Sequence, residues 1–250
     1  MPTTFFEWIP FLWKKYWPLL LKGAWTSLYL SFLGTSIGFV VGLLVAMVRT
    51  IPDPPKSKRV RYWLLKAVKF LCVAYIEVFR GTPLMVQAMV IYYGLMKFAS
   101  LRLPLIVASM IIVGSNTGAY MAEIMRSGII SVEKGQTEAA MSLGMTHWQT
   151  MSCVILPQAI RNVLPSVGNE FVVNVKDTSV LNVIAVSELY FVGKSASGTY
   201  LKYFEVYSII AVMYLIMTAT LSKLLGRIEK KLDGPSEYQV MNDEEEESDV

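Results

Sequence analysis

The sequence predicts an all-α polytopic membrane protein with five transmembrane helices. More than half of its 250 residues are apolar, and several apolar runs are long enough to cross a bilayer. Only 17% of the residues are charged, and these cluster in short stretches between the runs. Two cysteines are too few for a disulfide scaffold. The pattern therefore indicates a helical bundle in lipid and excludes an ordinary soluble domain.

The N-terminal part divides into two predicted helices. Residues 1–22 are rich in aromatic side chains, which favour the membrane–water boundary, so we expect an interfacial helix there. A transmembrane domain follows over residues 23–228. Its first span carries Gly34, Gly38 and Gly42 at four-residue intervals, which allows close helix packing in lipid. The partner is either another span of this chain or a second subunit.

A basic stretch over residues 49–69 opposes seven Lys or Arg to one acid, Asp53. Short basic loops are typical of the cytoplasmic side, so the N-terminus is predicted to lie outside. Residues 62–98 are too long for one straight span and are interrupted at residues 80–83. We expect one crossing there as a broken helix, with Pro83 in the first turn of its second piece.

Three further spans are predicted, over residues 103–125, 162–190 and 204–225. Polar residues within the third span are expected to face the bundle; they are Ser115, Asn116 and Thr117. A small, flexible outer loop is expected at residues 193–200. The charged tail, residues 229–250, ends in an acidic run and is predicted to be solvated and cytoplasmic.

The fourth predicted span is too polar for a lipid-facing helix. Glu170, Asn174 and Asp177 are spaced i, i+4 and i+7, so they share one helical face, and Asn169 and Lys176 fall beside it. Ionisable side chains within a membrane indicate function, because desolvation would otherwise exclude them. A structural ion pair or a position at the membrane rim is the alternative.

The break in the second span brings two more charges. Glu77 and Arg80 lie three residues apart on one helical face. Ionisable groups at such a break are costly in lipid, so we expect them to pair or to line a cavity.

The polar segment over residues 135–165 predicts two short helices. Gly144 ends the first by taking left-handed geometry, and Thr146 with Gln149 forms a capping box for the second. Pro157 and Pro165 are expected to end that second helix. The segment thus has the shape of a helix, a tight turn and a helix between spans.

Ala139 and Ala140 leave one face of the first short helix nearly bare, with Glu138 beside it. Such a face fits the groove of a partner, although an ordinary amphipathic loop helix has the same composition. The run from Glu138 to Ala140, Gly144 and the triplet at 155–157 (ILP) resemble the EAA loop of ABC-importer permeases.

Three longer motifs extend the resemblance to the histidine, glutamine and arginine type of polar amino-acid permease. They are EVFRGTPLMVQ at 77–87, GQTEAAMSLGM at 135–145 and GNEFVVNVKDTSVL at 168–181. The resemblance spans roughly residues 23–225. It implies a MetI-like type I importer permease whose loop 131–157 docks on a separate ATPase. The implied coupling residues are Glu138, Ala139, Ala140 and Gly144.

The implied function is uptake of polar amino acids by alternating access across the bacterial plasma membrane. An amino acid needs groups of both signs along its path, so the candidate substrate-binding residues are Glu77, Arg80, Asn169, Glu170, Asn174, Lys176 and Asp177. Acids slightly outnumber bases, which favours cationic or neutral amino acids. The implied partners are two ATP-binding subunits, a second permease chain in a homodimer or heterodimer, an extracytoplasmic substrate-binding protein and the lipid bilayer, with no nucleic acid.

No catalytic residue, cofactor or metal site is expected on this chain. Gly193 is followed by Lys194 and Ser195, but a phosphate-binding loop needs glycine where Glu188 stands. ATP and Mg would therefore belong to the partner ATPase. His147 is the single histidine, so it cannot build a metal site.

Three other functions remain open. An ATP-independent secondary transporter would also carry charges within the membrane, although we find no inverted repeat. A non-transport membrane scaffold would use the polar segment to recruit a cytoplasmic protein. An ABC permease for another polar solute is the third.

Overall fold

The computed structural model describes residues 2, 4–53, 55, 57 and 59–232, and every regular element in them is helical. The α-helices are α1 (Phe5–Thr50), α2 (Arg59–Gly81), α3 (Leu84–Phe98), α4 (Leu105–Ser131), α5 (Lys134–Ser142), α6 (His147–Gln149), α7 (Leu156–Asp177), α8 (Leu189–Tyr200) and α9 (Tyr203–Leu232). A π-helical segment, Thr150–Ile155, joins α6 to α7, and a 3₁₀ helix, Thr178–Ile184, follows α7.

Among the described residues, three helices are long and apolar enough to cross a membrane: α1, α4 and α9. Helix α3 is apolar but shorter. The count of five spans stays a prediction. With 46 residues, α1 is about 69 Å long, roughly twice the thickness of a bilayer hydrocarbon core.

The predicted boundary at residue 22 is not a break in the structure, because α1 runs through it. Trp8, Leu12 and Leu20 in the first half of α1 are buried in a cluster with residues of α8 and α9. This packing makes residues 5–22 part of the bundle. Their position relative to a bilayer stays a prediction.

The glycine repeat of α1 packs within the chain. Gly34, Gly38 and Gly42 face successive turns of α4, and a Cβ added to Gly42 would lie 2.4 Å from the Met121 Cβ. Because no side chain fits in that space, the two backbones approach closely. Of the two partners that the repeat allowed, the structure confirms the one within this chain.

Helices α1 and α4 run in the same direction. Gly34 faces Val113 near the middle of both helices, and Arg49 pairs with Glu123 farther along both. The chain must therefore return once between them, and α2 and α3 are the elements available for that return.

Helix α7 runs against α4. Gly128, late in α4, faces Val163, early in α7, whereas Thr117 bonds to Asn174 farther along α7. The chain reverses between them through α5 and α6.

Helix α9 runs against α7. A Cβ added to Gly168 would lie 3.3 Å from the Leu225 Cδ1, late in α9, whereas Tyr207, early in α9, shares a cavity wall with Lys176 at the end of α7. Helices α1, α4 and α9 thus point one way and α7 points the other.

The predicted break in the second span is confirmed. Helix α2 ends at Gly81 and α3 begins at Leu84, so Thr82 and Pro83 stand between two helices. Pro83 occupies the N-cap position, one residue before the predicted first turn. Its extended backbone, with ψ 138°, suits a cap.

The predicted flexible loop at residues 193–200 is wrong, because these residues belong to α8. Glu188 accepts hydrogen bonds at 2.7 and 2.8 Å from two backbone N–H groups in the first turn of α8. A Cβ on Gly193 would lie 1.8 Å from the Ile210 Cδ1 of α9. The small side chains therefore permit close packing of α8 on α9.

The predicted turn in the polar segment is confirmed, but its predicted end is wrong. Gly144 has a φ of +79°, and Thr146 and Gln149 form the capping box. Pro157 and Pro165 do not end the second helix, since both lie within α7. The π-helical segment directly before Pro157 changes the hydrogen-bond register, so the helix continues past a residue without an N–H.

Some predicted features fall wholly or partly outside the described residues. The acidic run of the tail lies in residues 233–250, beyond the described part of the chain, whereas residues 229–232 belong to α9. Lys56 and Lys58 of the basic stretch also lie outside it.

Candidate functional site

A layer of polar side chains lies between two apolar clusters of the bundle. One cluster joins α1, α3, α4 and the 3₁₀ helix and contains Leu30 and Val113. The other joins the later parts of α1 and α4 to the π-helical segment and the start of α7, and it contains Ala46 and Met125. Polar residues follow Leu30 on α1 and Val113 on α4 before the second cluster begins. The polar layer is thus enclosed by apolar packing along both helices.

Asn174 connects three helices within this layer. Its Nδ2 donates to the Thr35 hydroxyl oxygen of α1 at 2.8 Å, and its Oδ1 accepts from the Thr117 hydroxyl of α4 at 3.1 Å. All three side chains are buried. Buried polar groups need such partners, so Asn174 fixes the position of α7 against α1 and α4.

A cavity of about 490 Å³ opens beside this layer, between the helix break, α4 and α7. We call it the polar cavity; it is lined by Arg80, Gly81, Thr82, Pro83, Leu84, Asn116, Tyr120, Glu170, Val173, Asn174 and Asp177. Its volume falls within the range of about 300–1,000 Å³ that is usual for small-molecule sites.

Charges of both signs border the polar cavity. The Arg80 guanidinium lies 5.4 Å from the ring centroid of Tyr120, a cation–π distance. The half-buried carboxyl groups of Glu170 and Asp177 come from the face of α7 that also carries Asn174. Four of the seven predicted substrate residues therefore meet in one cavity.

The other three predicted residues do not reach the polar cavity. Asn169 and Lys176 are exposed, because each is one residue, about 100° of helix rotation, from the face with Glu170 and Asp177. Lys176 instead lines a second cavity of about 430 Å³ with tyrosines of α8 and α9. Within the described residues, exposed Glu77 forms no ion pair with Arg80. Helix α2 ends one residue after Arg80, and the Arg80 guanidinium packs over the ring of Tyr120.

The sequence analysis gave no site role to the two hydroxyl-bearing residues of the cavity wall, Thr82 and Tyr120. Thr82 lies in the helix break, and Tyr120 follows Asn116 by one turn of α4. The spacing of Asn116 and Tyr120, i and i+4, is the signal that places both on one face. No local pattern indicates that this face meets the break.

The predicted coupling segment, residues 131–157, exposes both polar and apolar side chains. Glu138 and Ala139 are exposed, but Ala140 is only 3% exposed, so the predicted bare face is half covered by the protein itself. Leu143 and Trp148 are 83% and 66% exposed. Large apolar side chains so exposed on a polar turn are typical of a contact surface.

Comparison with known proteins gives a family. The family described as the inner membrane component of binding-protein-dependent transport systems matches residues 60–234. The glutamine transport system permease protein GlnP of Escherichia coli (strain K12) is 39% identical over 226 residues, covering 89% of this chain and 98% of that protein. The probable glutamine ABC transporter permease protein GlnM of Bacillus subtilis (strain 168) is 36% identical over 215 residues, covering 86% and 94%.

Solved structures agree with this family. A chain in the crystal structure of an amino acid ABC transporter with histidines matches with a TM-score of 0.77 and 40% identity, covering 92% of this chain and all of that one. A chain of the inward-facing MetNI methionine ABC transporter matches with a TM-score of 0.69 and 19% identity, covering 89% and 98%. This second likeness shows the fold, which is the all-helical MetI-like permease fold.

The relatives are transport components and not enzymes. From the family match, the relatives and the fold, we conclude that the chain belongs to the ABC-transporter permeases of the polar amino-acid uptake family, and that it is the inner-membrane permease component of an amino-acid importer.

Proposed function

We propose that this permease moves a cationic or neutral amino acid by alternating access and that the polar cavity holds the substrate on its path. The observation that carries the proposal is the meeting of Arg80, Glu170, Asn174 and Asp177 around one cavity at the helix break. Every amino acid carries an ammonium and a carboxylate, so its site needs groups of both signs.

The charges on the cavity wall suit the two charged groups of an amino acid. Arg80 and the N-terminus of α3, which begins at the cavity wall, favour the carboxylate, because a helix N-terminus is partially positive. Glu170 and Asp177 favour the ammonium. Two carboxyl groups against one guanidinium disfavour an acidic substrate. The substrate roles of Glu77, Asn169 and Lys176 stay predictions.

The helix directions support the proposed topology of five crossings. Because α1 and α4 are parallel, α2 and α3 together provide one return crossing; α7 then runs outward and α9 inward. The end of α1, the coupling segment and the end of α9 thus share one side. The basic stretch beside α1 makes that side cytoplasmic, with the N-terminus outside and the C-terminus inside.

ATP coupling enters this proposal through the coupling segment. Two ATPase subunits, which bind ATP and Mg, dock on a surface that includes Glu138, Ala139, Leu143 and Trp148. Helix α6, the π-helical segment and α7 follow one another without a gap from this surface to Asp177. Movement at the ATPase is therefore passed directly to the cavity wall. A second permease chain, identical or related, completes the pathway, and an extracytoplasmic binding protein delivers the amino acid.

The proposal is tested by the substrate dependence of ATP hydrolysis in the reconstituted complex. We expect glutamine or a basic amino acid to stimulate hydrolysis and aspartate and glutamate not to. Replacing both cavity acids, Glu170→Gln with Asp177→Asn, should raise the half-saturating concentration of the amino acid at least about tenfold. The loss of one hydrogen bond to a charged group lowers affinity by roughly that factor. Glu205→Gln is the control, because Glu205 lies on α9 outside the cavity lining.

Two results would contradict the proposal. An unchanged half-saturating concentration in the double variant would remove the cavity from the substrate path. Uptake by this chain alone, without ATPase subunits, would instead favour a secondary transporter.

A further inference from the structure

The break between α2 and α3 leaves backbone carbonyl groups without helical donors. Pro83 has no N–H to offer the Phe79 carbonyl four residues earlier. The side chain of Gln87, in the first turn of α3, supplies the donor. Its Nε2 lies 2.8 Å from the Phe79 carbonyl oxygen, 2.8 Å from the Thr82 carbonyl oxygen and 2.9 Å from the Thr82 hydroxyl oxygen. One side chain thus bonds to both ends of the break.

Asn116 of α4 fixes this glutamine in turn. Its Nδ2 donates to the Gln87 Oε1 at 2.9 Å and lies 3.4 Å from the Phe79 carbonyl oxygen. Gln87 is 7% exposed and Asn116 is 9% exposed. Because buried amides are costly without partners, this network has one favourable arrangement. It ties the helix break to α4.

The network holds the backbone on both sides of Arg80, the exposed cation of the polar cavity. Arg80 lies between Phe79 and Thr82, the two residues whose carbonyl groups Gln87 holds. Gln87 itself is absent from the cavity lining, whereas Arg80, Thr82 and Asn116 are part of it. Gln87 therefore acts on the site indirectly, through the backbone of the break and through Asn116.

We propose that Gln87, held by Asn116, is a positioning residue that sets the conformation of the helix break and so orients Arg80 toward the substrate. This inference rests on the proposed function, because it assigns a role within the same cavity. A positioning role for Gln87 differs from a purely structural role in one respect. We expect the effect of losing Gln87 on substrate affinity to pass through Arg80.

The first test measures the break itself and needs no substrate. In a Cys72→Ser, Cys153→Ser background, Gly81→Cys carries a nitroxide spin label, since a Cβ at Gly81 meets no atom within 4 Å. With Gln87→Leu, the Phe79 and Thr82 carbonyl groups lose their donor, so the backbone of the break should become more mobile. We expect the ratio of mobile to immobile spectral components to rise about tenfold. Gln87→Glu should act alike, because a carboxylate cannot donate.

Gln158→Leu is the matched control. Gln158 is exposed, and among the described residues its side chain donates to the Val154 carbonyl within its own helical run. It should leave the spectrum unchanged. An unchanged spectrum with Gln87→Leu would overturn the inference.

The second test asks whether Gln87 acts on substrate affinity through Arg80 or only stabilises the fold. The substrate for this test is whichever of the twenty amino acids stimulates ATP hydrolysis most. Its half-saturating concentration is measured for uptake by the full complex. Gln87→Leu and Arg80→Ala should each raise it about tenfold, and the double variant should show little more than one of these effects. Gln158→Leu should again have no effect.

The outcomes distinguish this inference from the proposed function. If the increases in half-saturating concentration caused by Gln87→Leu and Arg80→Ala multiply in the double variant, Gln87 has a purely structural role and the inference is overturned. A wild-type value for Arg80→Ala alone would contradict the substrate role of the cavity. In that case the spin-label ratio still decides whether Gln87 sets the conformation of the break.

Discussion

The Glu188 side chain is fully buried, and four donors surround its carboxylate. Two are the backbone N–H groups at the start of α8; the others are the Tyr214 hydroxyl of α9 at 3.1 Å and the Ser27 hydroxyl of α1 at 3.4 Å. One residue therefore caps α8 and joins it to two other helices. A buried carboxylate is tolerated only with partners of this kind.

Replacing this carboxylate should destabilise the protein. Glu188→Ala leaves two N–H groups and two hydroxyls without their acceptor, so we expect a loss of at least about 2 kcal/mol and a lower thermal midpoint in detergent. The control is Glu133→Ala, since Glu133 is exposed at the N-cap of α5 and its side chain makes no capping hydrogen bond in the described part of the chain. Equal midpoints for the two variants would contradict a capping role of Glu188.

At the scale of elements, the coupling segment depends on one turn between α5 and α6. Gly144 has a positive φ, which costs other residues about 1 kcal/mol or more. Gly144→Ala should tilt α5 against α6, and Glu138→Gln should remove an exposed charge from the proposed docking surface. We expect both to reduce uptake and co-purification of the ATPase while membrane insertion stays normal.

Gly135→Ala is the matched control for this turn. Gly135 lies on α5 without a positive φ, and a Cβ there meets no atom within 4 Å. Normal uptake and ATPase binding in both Gly144→Ala and Glu138→Gln would remove the coupling role from this segment.

The elements also show what the sequence could predict. The cap of α6 by Thr146 and the glycine stripe that includes Gly34 could both be predicted, because each depends on residues a few positions apart. Glu170 and Asp177 share a face for the same reason. These features follow from helical spacing alone.

Features that depend on packing between distant segments could not be predicted. The composition of residues 193–200 suggests flexibility, but close contact with Ile210 and a cap by Glu188 make them helical. Ala140 is covered by its own chain. The partnership of Asn116 with Gln87 joins residues 29 positions apart, and no pattern along the chain reports that distance.

At the scale of the whole molecule, one native cysteine reports the orientation. Cys153 lies exposed on the π-helical segment next to the proposed coupling surface, and Cys72 is on α2. In a Cys72→Ser variant, we expect a membrane-impermeant maleimide to modify Cys153 in inverted vesicles but not in intact cells. A Cys153→Ser control should show no labelling. Modification of Cys153 in intact cells would reverse the proposed topology.

The close seam between α1 and α4 has a consequence for the transport cycle. Backbones in contact over two turns, with the Arg49–Glu123 ion pair beyond them, leave no room for sliding, so these helices form a fixed frame. Helix α7 is joined to that frame in the polar layer by the two hydrogen bonds of Asn174. Gly128 of the frame also packs closely against Val163 early in α7, so the carboxyl-bearing wall is held at two points, and any shift of this wall during transport must first exchange the Asn174 hydrogen bonds.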